Sequence, residues 1–271
     1  MSEPVVLLRG GGDLASGTAL RLHRAGLRIA IIEISQPLAV RRTVSFAEAV
    51  YAGAVTVEGL TARLVERGDD LQSVLGNGEI PVLVDPELET LADINPTVLV
   101  DARMLKRKPE TGIQAAPLVV GLGPGFTAGE NCHAVVETMR GHNLGRVFWE
   151  GRALPDTGVP GSIARHGLDR VLRAPADGVL QTHVEIGASL QSGGLIATVG
   201  AHEVRAPFKG LVRGLLRHGF PVHKGLKIGD LDPRNDPSYC WLVSDKALAV
   251  GGGVLEAVLS KAEMRAKLYS S

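Results

Sequence analysis

Several groups of residues have types and spacings that can do chemistry. The first is Gly10-Gly11-Gly12-Asp13-Leu14, which contains the pattern Gly10-x-Gly12-x-x-Ala15. Glycines in such a loop let the backbone approach a phosphate, and the start of a following helix supplies N–H donors and the positive end of its dipole. Glu33 follows at about the 20-residue spacing expected of a carboxylate that binds a ribose hydroxyl. Asp13 would compete with an anion there, so it caps the helix, faces a metal or a ligand hydroxyl, or takes a catalytic role. The alternative is a tight turn that holds no ligand.

A second group is Asp101 and Arg103, just beyond an apolar run. Residues at the carboxyl ends of parallel strands line the ligand crevice, so Arg103 is a candidate for binding an anion and Asp101 for a hydroxyl, a metal or a catalytic role. A local ion pair is the alternative. A third group is the loop Gly121-Leu122-Gly123-Pro124-Gly125, in which Gly123 and Gly125 would face the first loop across a shared crevice, with Arg140 and His142 positioned to hold charge. Cys132 and His133 are adjacent and point apart in most backbones, so they make no nucleophile–base pair. Cys132 reads as a small buried hydrophobe, or more sharply as a thiol that handles sulfur or selenium. Asp230 and Asp232 alternate, so both face one side of an extended strand and are candidates for a divalent cation. Pairing with Arg234 is the competing reading.

The elements that must position these groups are legible as apolar runs. Val5–Leu8, Arg28–Glu33, Ile80–Val84, Thr97–Val100 and Leu118–Leu122 read as strands, and the first two flank a helical pattern that ends at Gly26. Strand, glycine loop, helix, strand and terminal acid predict a Rossmann-like parallel α/β domain over residues 1–165. Pro155, Gly158, Pro160 and Gly161 mark a linker. Near the C-terminus, Gly251-Gly252-Gly253 interrupts a helical pattern capped by Ser244, which suits a helix break or the close approach of a ligand or another backbone. Residues 241–271 are expected to pack back on the first domain.

Between them the chain repeats itself. Residues 173–196 return at 205–228 with a constant offset of 32, matching Arg173/Arg205, Pro175/Pro207, Gly178/Gly210, Gly187/Gly219, Gly193/Gly225 and Ile196/Ile228. Two such short units interlock because neither buries its apolar face alone. Short strands between Gly and Pro turns predict an all-β module over 166–240, similar to the barrel-sandwich hybrid of biotinyl and lipoyl carrier domains. The joint between the copies, Val199-Gly200-Ala201-His202-Glu203, has no lysine to modify, which disfavours a carrier role.

Composition narrows the classes further. The 271 residues carry 29 basic and 29 acidic side chains and are 45% hydrophobic. A net charge near zero gives no support for non-specific nucleic-acid binding, and Lys106-Arg107-Lys108 is more readily a solvated loop than a patch. Two cysteines without paired spacing suit a reducing compartment. No apolar run approaches the ~20 residues of a membrane span. A cytoplasmic protein without nucleic-acid or membrane partners is expected.

Taken together, Arg9–Gly17, Pro37–Thr43, Gly123–Gly129, Glu137–Arg146, Lys227–Arg234 and Ser244–Glu256 resemble the accessory proteins of selenium-dependent molybdenum hydroxylase systems, of the YqeB type. A more distant similarity is to the xanthine dehydrogenase maturation factors. The resemblance implies a role in cofactor maturation, with a phosphate-bearing ligand (a nucleotide such as NAD(P), or the molybdenum cofactor) in the glycine-rich crevice. It leaves a divalent cation, a hydroxylase subunit and a second copy of the chain as expected companions. Two other classes compete. A nicotinamide-dependent oxidoreductase would use the same loop but lacks an identifiable acid–base residue. A non-enzymatic scaffold would dock a hydroxylase subunit through the β module.

Overall fold

The structure is a computed structural model that describes residues 4–66, 70–158 and 166–269. Residues Met1–Pro37, Ser45–Asp156 and Val243–Ser271 form one compact unit, and Leu38–Val44 with Thr157–Leu242 form the other.

In the first unit all five apolar runs are strands. The strands are β1 (Val6–Arg9), β2 (Ile29–Glu33), β3 (Ala54–Val57), β4 (Leu60–Leu64), β5 (Ile80–Val84), β6 (Val98–Asp101), β7 (Leu118–Leu122), β8 (Thr127–Ala128), β9 (Ala134–Val136), β10 (Val147–Phe148) and β11 (Gly151–Arg152). Nine of them make one sheet in the order β10-β9-β7-β6-β1-β2-β5-β4-β3, while β8 and β11 pair separately. β1 lies between β2 and β6, with Val6 opposite both Ile29 and Val98. Leu7, Ala30, Ile32, Leu99, Val119, Phe126 and Val135 build a buried core, as expected of strands covered by other parts of the chain.

The expected Rossmann-like parallel sheet is corrected by this topology: the sheet is mixed. β3 runs antiparallel to β4 and β10 antiparallel to β9. Apolar runs specify burial, whereas strand direction is set by the connections. Glu58 and Gly59, with φ of 47° and 84°, form a two-residue turn that folds β4 back on β3. Of the helices α1 (Asp13–Arg24), α2 (Ala49–Ala52), α3 (Leu71–Gly76) and α4 (Leu91–Ile94), only α1 exceeds two turns, so regular strand–helix alternation is missing.

In the second unit the repeat reappears element by element. The first copy supplies β12 (Val171–Arg173), β13 (Gly178–Thr182), β14 (Ser189–Leu190) and β15 (Leu195–Val199). The second supplies β16 (His202–Arg205), β17 (Gly210–Leu215), β18 (Pro221–Val222) and β19 (Lys227–Asp232). They form two four-stranded antiparallel sheets, ordered β12-β19-β17-β14 and β16-β15-β13-β18, each with two strands from each copy. The expected barrel-sandwich hybrid is thereby replaced by two separate antiparallel sheets; the Gly and Pro spacing specified the turns and not how the strands would partition. Gly187/Gly219 and Gly193/Gly225 all have positive φ, between 80° and 98°, a conformation open to glycine without strain. A short helix, α5 (Ser238–Trp241), follows. Residues 38–44 join this unit as a strap. Val40 O accepts the Leu215 N–H at 2.8 Å, Arg42 Nε donates to Leu215 O, and Arg41 donates to Tyr239 O and Leu242 O.

The chain then returns to the first unit as α6 (Asp245–Ser260) and α7 (Ala262–Leu268). Ser244 caps α6 by accepting the Ala247 N–H. The three glycines do not break α6. A Cβ on Gly17 would sit 2.7 Å from Ala247, and one on Gly251 2.6 Å from the Gly17 carbonyl, so glycine lets α1 and α6 cross backbone to backbone. Gly253 likewise admits the Gly145 carbonyl. Among the described residues no helix is long and apolar enough to cross a membrane. Pro160 and Gly161 of the expected linker lie outside the described residues.

Candidate functional site

The carboxyl ends of β1, β2, β5 and β6 open into a cleft of about 360 Å³. It is lined by Arg9, Arg103 and Arg107, by Glu33, Glu87 and Glu110, and by Gly10, Ile32, Ile34, Pro86 and Leu88. Beneath it Asp101, fully buried, anchors an ion-pair cluster. Arg103 grips its carboxylate with one edge of the guanidinium, Nε to Oδ1 at 2.9 Å and Nη2 to Oδ2 at 2.7 Å. Thr111 Oγ1 donates to the same carboxylate at 3.0 Å and accepts from Arg9 Nη1 at 2.6 Å. Arg9 Nη2 donates to Pro86 O.

Electrostatics separates the two arginines. Burial works against the charge of Arg103, but the hydrogen bonds and charge of Asp101, and then of Glu110, overcome it and raise its pKa. Arg9 is 7% exposed; burial, and then the nearby charge of Arg103, lower its pKa. No carboxylate of the described residues touches it. At the rim, Glu110 bridges two guanidiniums, at 3.1 Å from Arg103 Nη1 and 2.7 Å from Arg107 Nη1. Two residues of this region hold unfavourable backbone conformations: Leu88 and Met104 both have φ of 59°, which costs a bulky side chain on the order of 1 kcal/mol or more.

Of the sequence candidates, Gly10, Glu33 and Arg103 come together in this cleft. The first glycine loop is otherwise filled by the chain itself. Gly11 donates its N–H to Glu33 Oε2 at 2.8 Å, and Ile34 N–H occupies Oε1. The Gly11 carbonyl accepts from Ala47 N–H and from Ser45 Oγ. A Cβ on Gly11 would lie 2.9 Å from the Ala47 nitrogen. The nucleotide-binding expectation is corrected here: residues 45–47 pack on the Gly11 peptide of the loop, and the carboxylate expected at a ribose accepts the Gly11 and Ile34 N–H groups instead. Gly12 precedes α1, and Asp13 and Leu14 open it, half-buried.

The second glycine loop supports the cleft from behind. Gly123 packs against Thr138 and Met104, and a Cβ on Gly125 would meet the carbonyls of Leu105 and Arg107 at 2.6 and 2.7 Å. These contacts hold the 104–107 segment from which Arg107 projects. Arg140 is not in the cleft; it grips Asp245 at the start of α6, at 2.7 and 2.6 Å. Cys132 is fully buried in the core, and burial pushes its thiol up to about 12, so it is not a thiolate near neutral pH. His133 turns away from it and accepts the Val119 N–H on Nδ1.

Asp230 and Asp232 lie in the second unit, both buried on β19. Arg170 pairs with Asp230, and Arg234 grips Asp232 at 2.9 and 2.6 Å while stacking on Tyr239. Among the described residues no group of three His, Cys, Asp or Glu side chains is arranged to hold a metal ion.

Sequence reasoning missed Arg9, Glu87, Thr111 and Glu110, and set Arg107 aside as solvated. The rule that selected Asp101 also reaches Arg9, the last residue of β1. Glu110 and Thr111 sit in an irregular loop without periodicity, and no local signal marks them.

No family model matches the chain. It is 48% identical over 255 residues to the uncharacterized protein YqeB of Escherichia coli K12, a match that takes in 94% of this chain and 47% of YqeB. The chain therefore spans about half the length of that relative. Solved structures that match include an aspartoacylase family protein of Mesorhizobium loti, at 12% identity over 85% of each chain with a TM-score of 0.26. A succinylglutamate desuccinylase/aspartoacylase of Rhodobacter sphaeroides matches at 16% identity over 85% of each chain, also with a TM-score of 0.26. Likeness at that level carries no argument about activity. Along nearly its whole length, the chain is similar to a segment of YqeB.

Proposed function

We propose that the chain is an accessory protein that holds a small oxyanion-bearing ligand, of the molybdenum-cofactor kind, in the cleft at the carboxyl ends of β1, β2, β5 and β6. The observation that carries this reading is the convergence of Arg9, Arg103 and Arg107 on one side of that cleft. Guanidinium forks match carboxylate and phosphate geometry. Arg9 supplies buried charge that no carboxylate touches, and Asp101 with Thr111 holds the array in place. The similarity of sequence motifs to hydroxylase accessory proteins supports the maturation role.

The test is mass spectrometry of material released when protein purified without added ligand is denatured. A phosphorylated pterin is expected. A nicotinamide nucleotide, or no ligand together with no thermal stabilisation by inorganic phosphate or a pterin phosphate, overturns the proposal.

A further inference from the structure

We infer that Glu110 is a built-in stand-in for the ligand's oxyanion, a displaceable carboxylate that occupies the seat between Arg103 and Arg107 until an anionic group replaces it. The inference rests on the cleft reading above and deepens it by placing the ligand's anionic end and naming what competes for that place.

Each Glu110 oxygen takes a different guanidinium, Oε2 that of Arg103 and Oε1 that of Arg107. One group straddling two guanidiniums through two oxygens is the arrangement a phosphate monoester or a ligand carboxylate would adopt. The roles of the two acids on Arg103 differ. Asp101 is fully buried and engages Nε and Nη2, which makes it the fixed partner that aims the guanidinium. Glu110 engages the remaining nitrogen, is about half exposed, and lies outside any helix or strand. Exposed ion pairs of this kind are weak, so a dianion exchanges for Glu110 readily.

The other lining carboxylates are not equivalent. Glu33 is tied to the Gly11 and Ile34 N–H groups. Glu87 lines the cleft and makes no hydrogen bond or ion pair with the described residues, acting on Arg9 only through its charge. Glu87 therefore provides the control for a general electrostatic effect.

The experiment is calorimetric titration of the whole chain with inorganic phosphate, comparing wild type with Glu110→Gln, Glu87→Gln and the double variant Glu110→Gln/Arg107→Gln. Glu110 and Arg107 are on the surface, and circular dichroism checks that each variant is folded. Glu110→Gln is expected to bind phosphate about five-fold more tightly, the loss of two exposed ion pairs. Glu87→Gln should change affinity less than about two-fold, and the double variant should lose the gain. Equal gains from Glu110→Gln and Glu87→Gln overturn the stand-in role, as does a gain that survives loss of Arg107. If wild type binds phosphate and Glu110→Gln binds no better, the stand-in fails while the cleft reading survives. If no variant binds, both fail.

Discussion

Val119 donates its N–H to Nδ1 of His133 at 2.9 Å, so that nitrogen must stay unprotonated while the bond exists. Burial, and then the charge of Lys261, lower the His133 pKa. For a folded-state pKa below the unfolded value, the linked stability is present above the ordinary value near ~6.5 and is lost as pH falls through that range. The His133 ring should therefore titrate below ~6.5 by NMR, and a midpoint at or above that value would sink the assignment. Adjacent Cys132 shows the same rule from the other side. Its sequence setting allowed a reactive thiol, but only tertiary burial decides a thiol's pKa, and here it lifts the group out of the functional range.

At the scale of elements, the glycines of α6 separate packing from propensity. Gly251 meets the Gly17 carbonyl, whereas a Cβ on Gly252 would have nothing within 4 Å. Ala at either position gains helix propensity, up to ~1 kcal/mol. At 251 the added methyl must also push α1 away, and overpacking costs roughly 1–3 kcal/mol. Urea denaturation should thus show Gly252→Ala stabilised by up to ~1 kcal/mol and Gly251→Ala destabilised by about 1–2 kcal/mol. The same sign for both would refute the close crossing. The glycine run was visible in the sequence as a place of close approach or a break. Which of the two held depended on Gly17, more than two hundred residues away. The first glycine loop teaches a related point: its position between strand and helix was legible, but Ser45–Ala47, which pack on it, were not.

For the molecule as a whole, the second unit concentrates buried charge on β19. Burial disfavours the charged form of Asp232, but Arg234 and then Arg213 outweigh it and hold its pKa below the usual carboxylate range. This stabilisation is present above the ordinary value of about 3.8 and is lost as pH falls below it toward the folded-state value. Scanning calorimetry between pH 6 and pH 3 should record a loss of stability that Asp232→Asn reduces, the variant being already about 1–2 kcal/mol weaker at neutral pH because it loses the charged hydrogen bonds to Arg234. An unaltered acid slope in Asp232→Asn would assign the transition to other groups. Alternation in the sequence put Asp230 and Asp232 on one face, and the arginines that claim them come from β17, from the short 3-10 helix Leu168–Arg170 and from the turn after β19.

The sequence by itself determined the local facts: which runs become strands, where the main chain must turn at glycine, and that residues 173–228 are a duplicated unit. Period, burial and turn chemistry act over a few residues, so they can be read from a few residues. Tertiary structure decided the rest. It set strand direction, gave each repeat sheet two strands from either copy, packed residues 45–47 on the first glycine loop, and brought Arg9 at the end of β1 into one cleft with Arg103, Arg107 and Glu110 of the loop after β6. Those outcomes depend on which distant group takes a given hydrogen bond or fills a given space, and no local pattern encodes that choice.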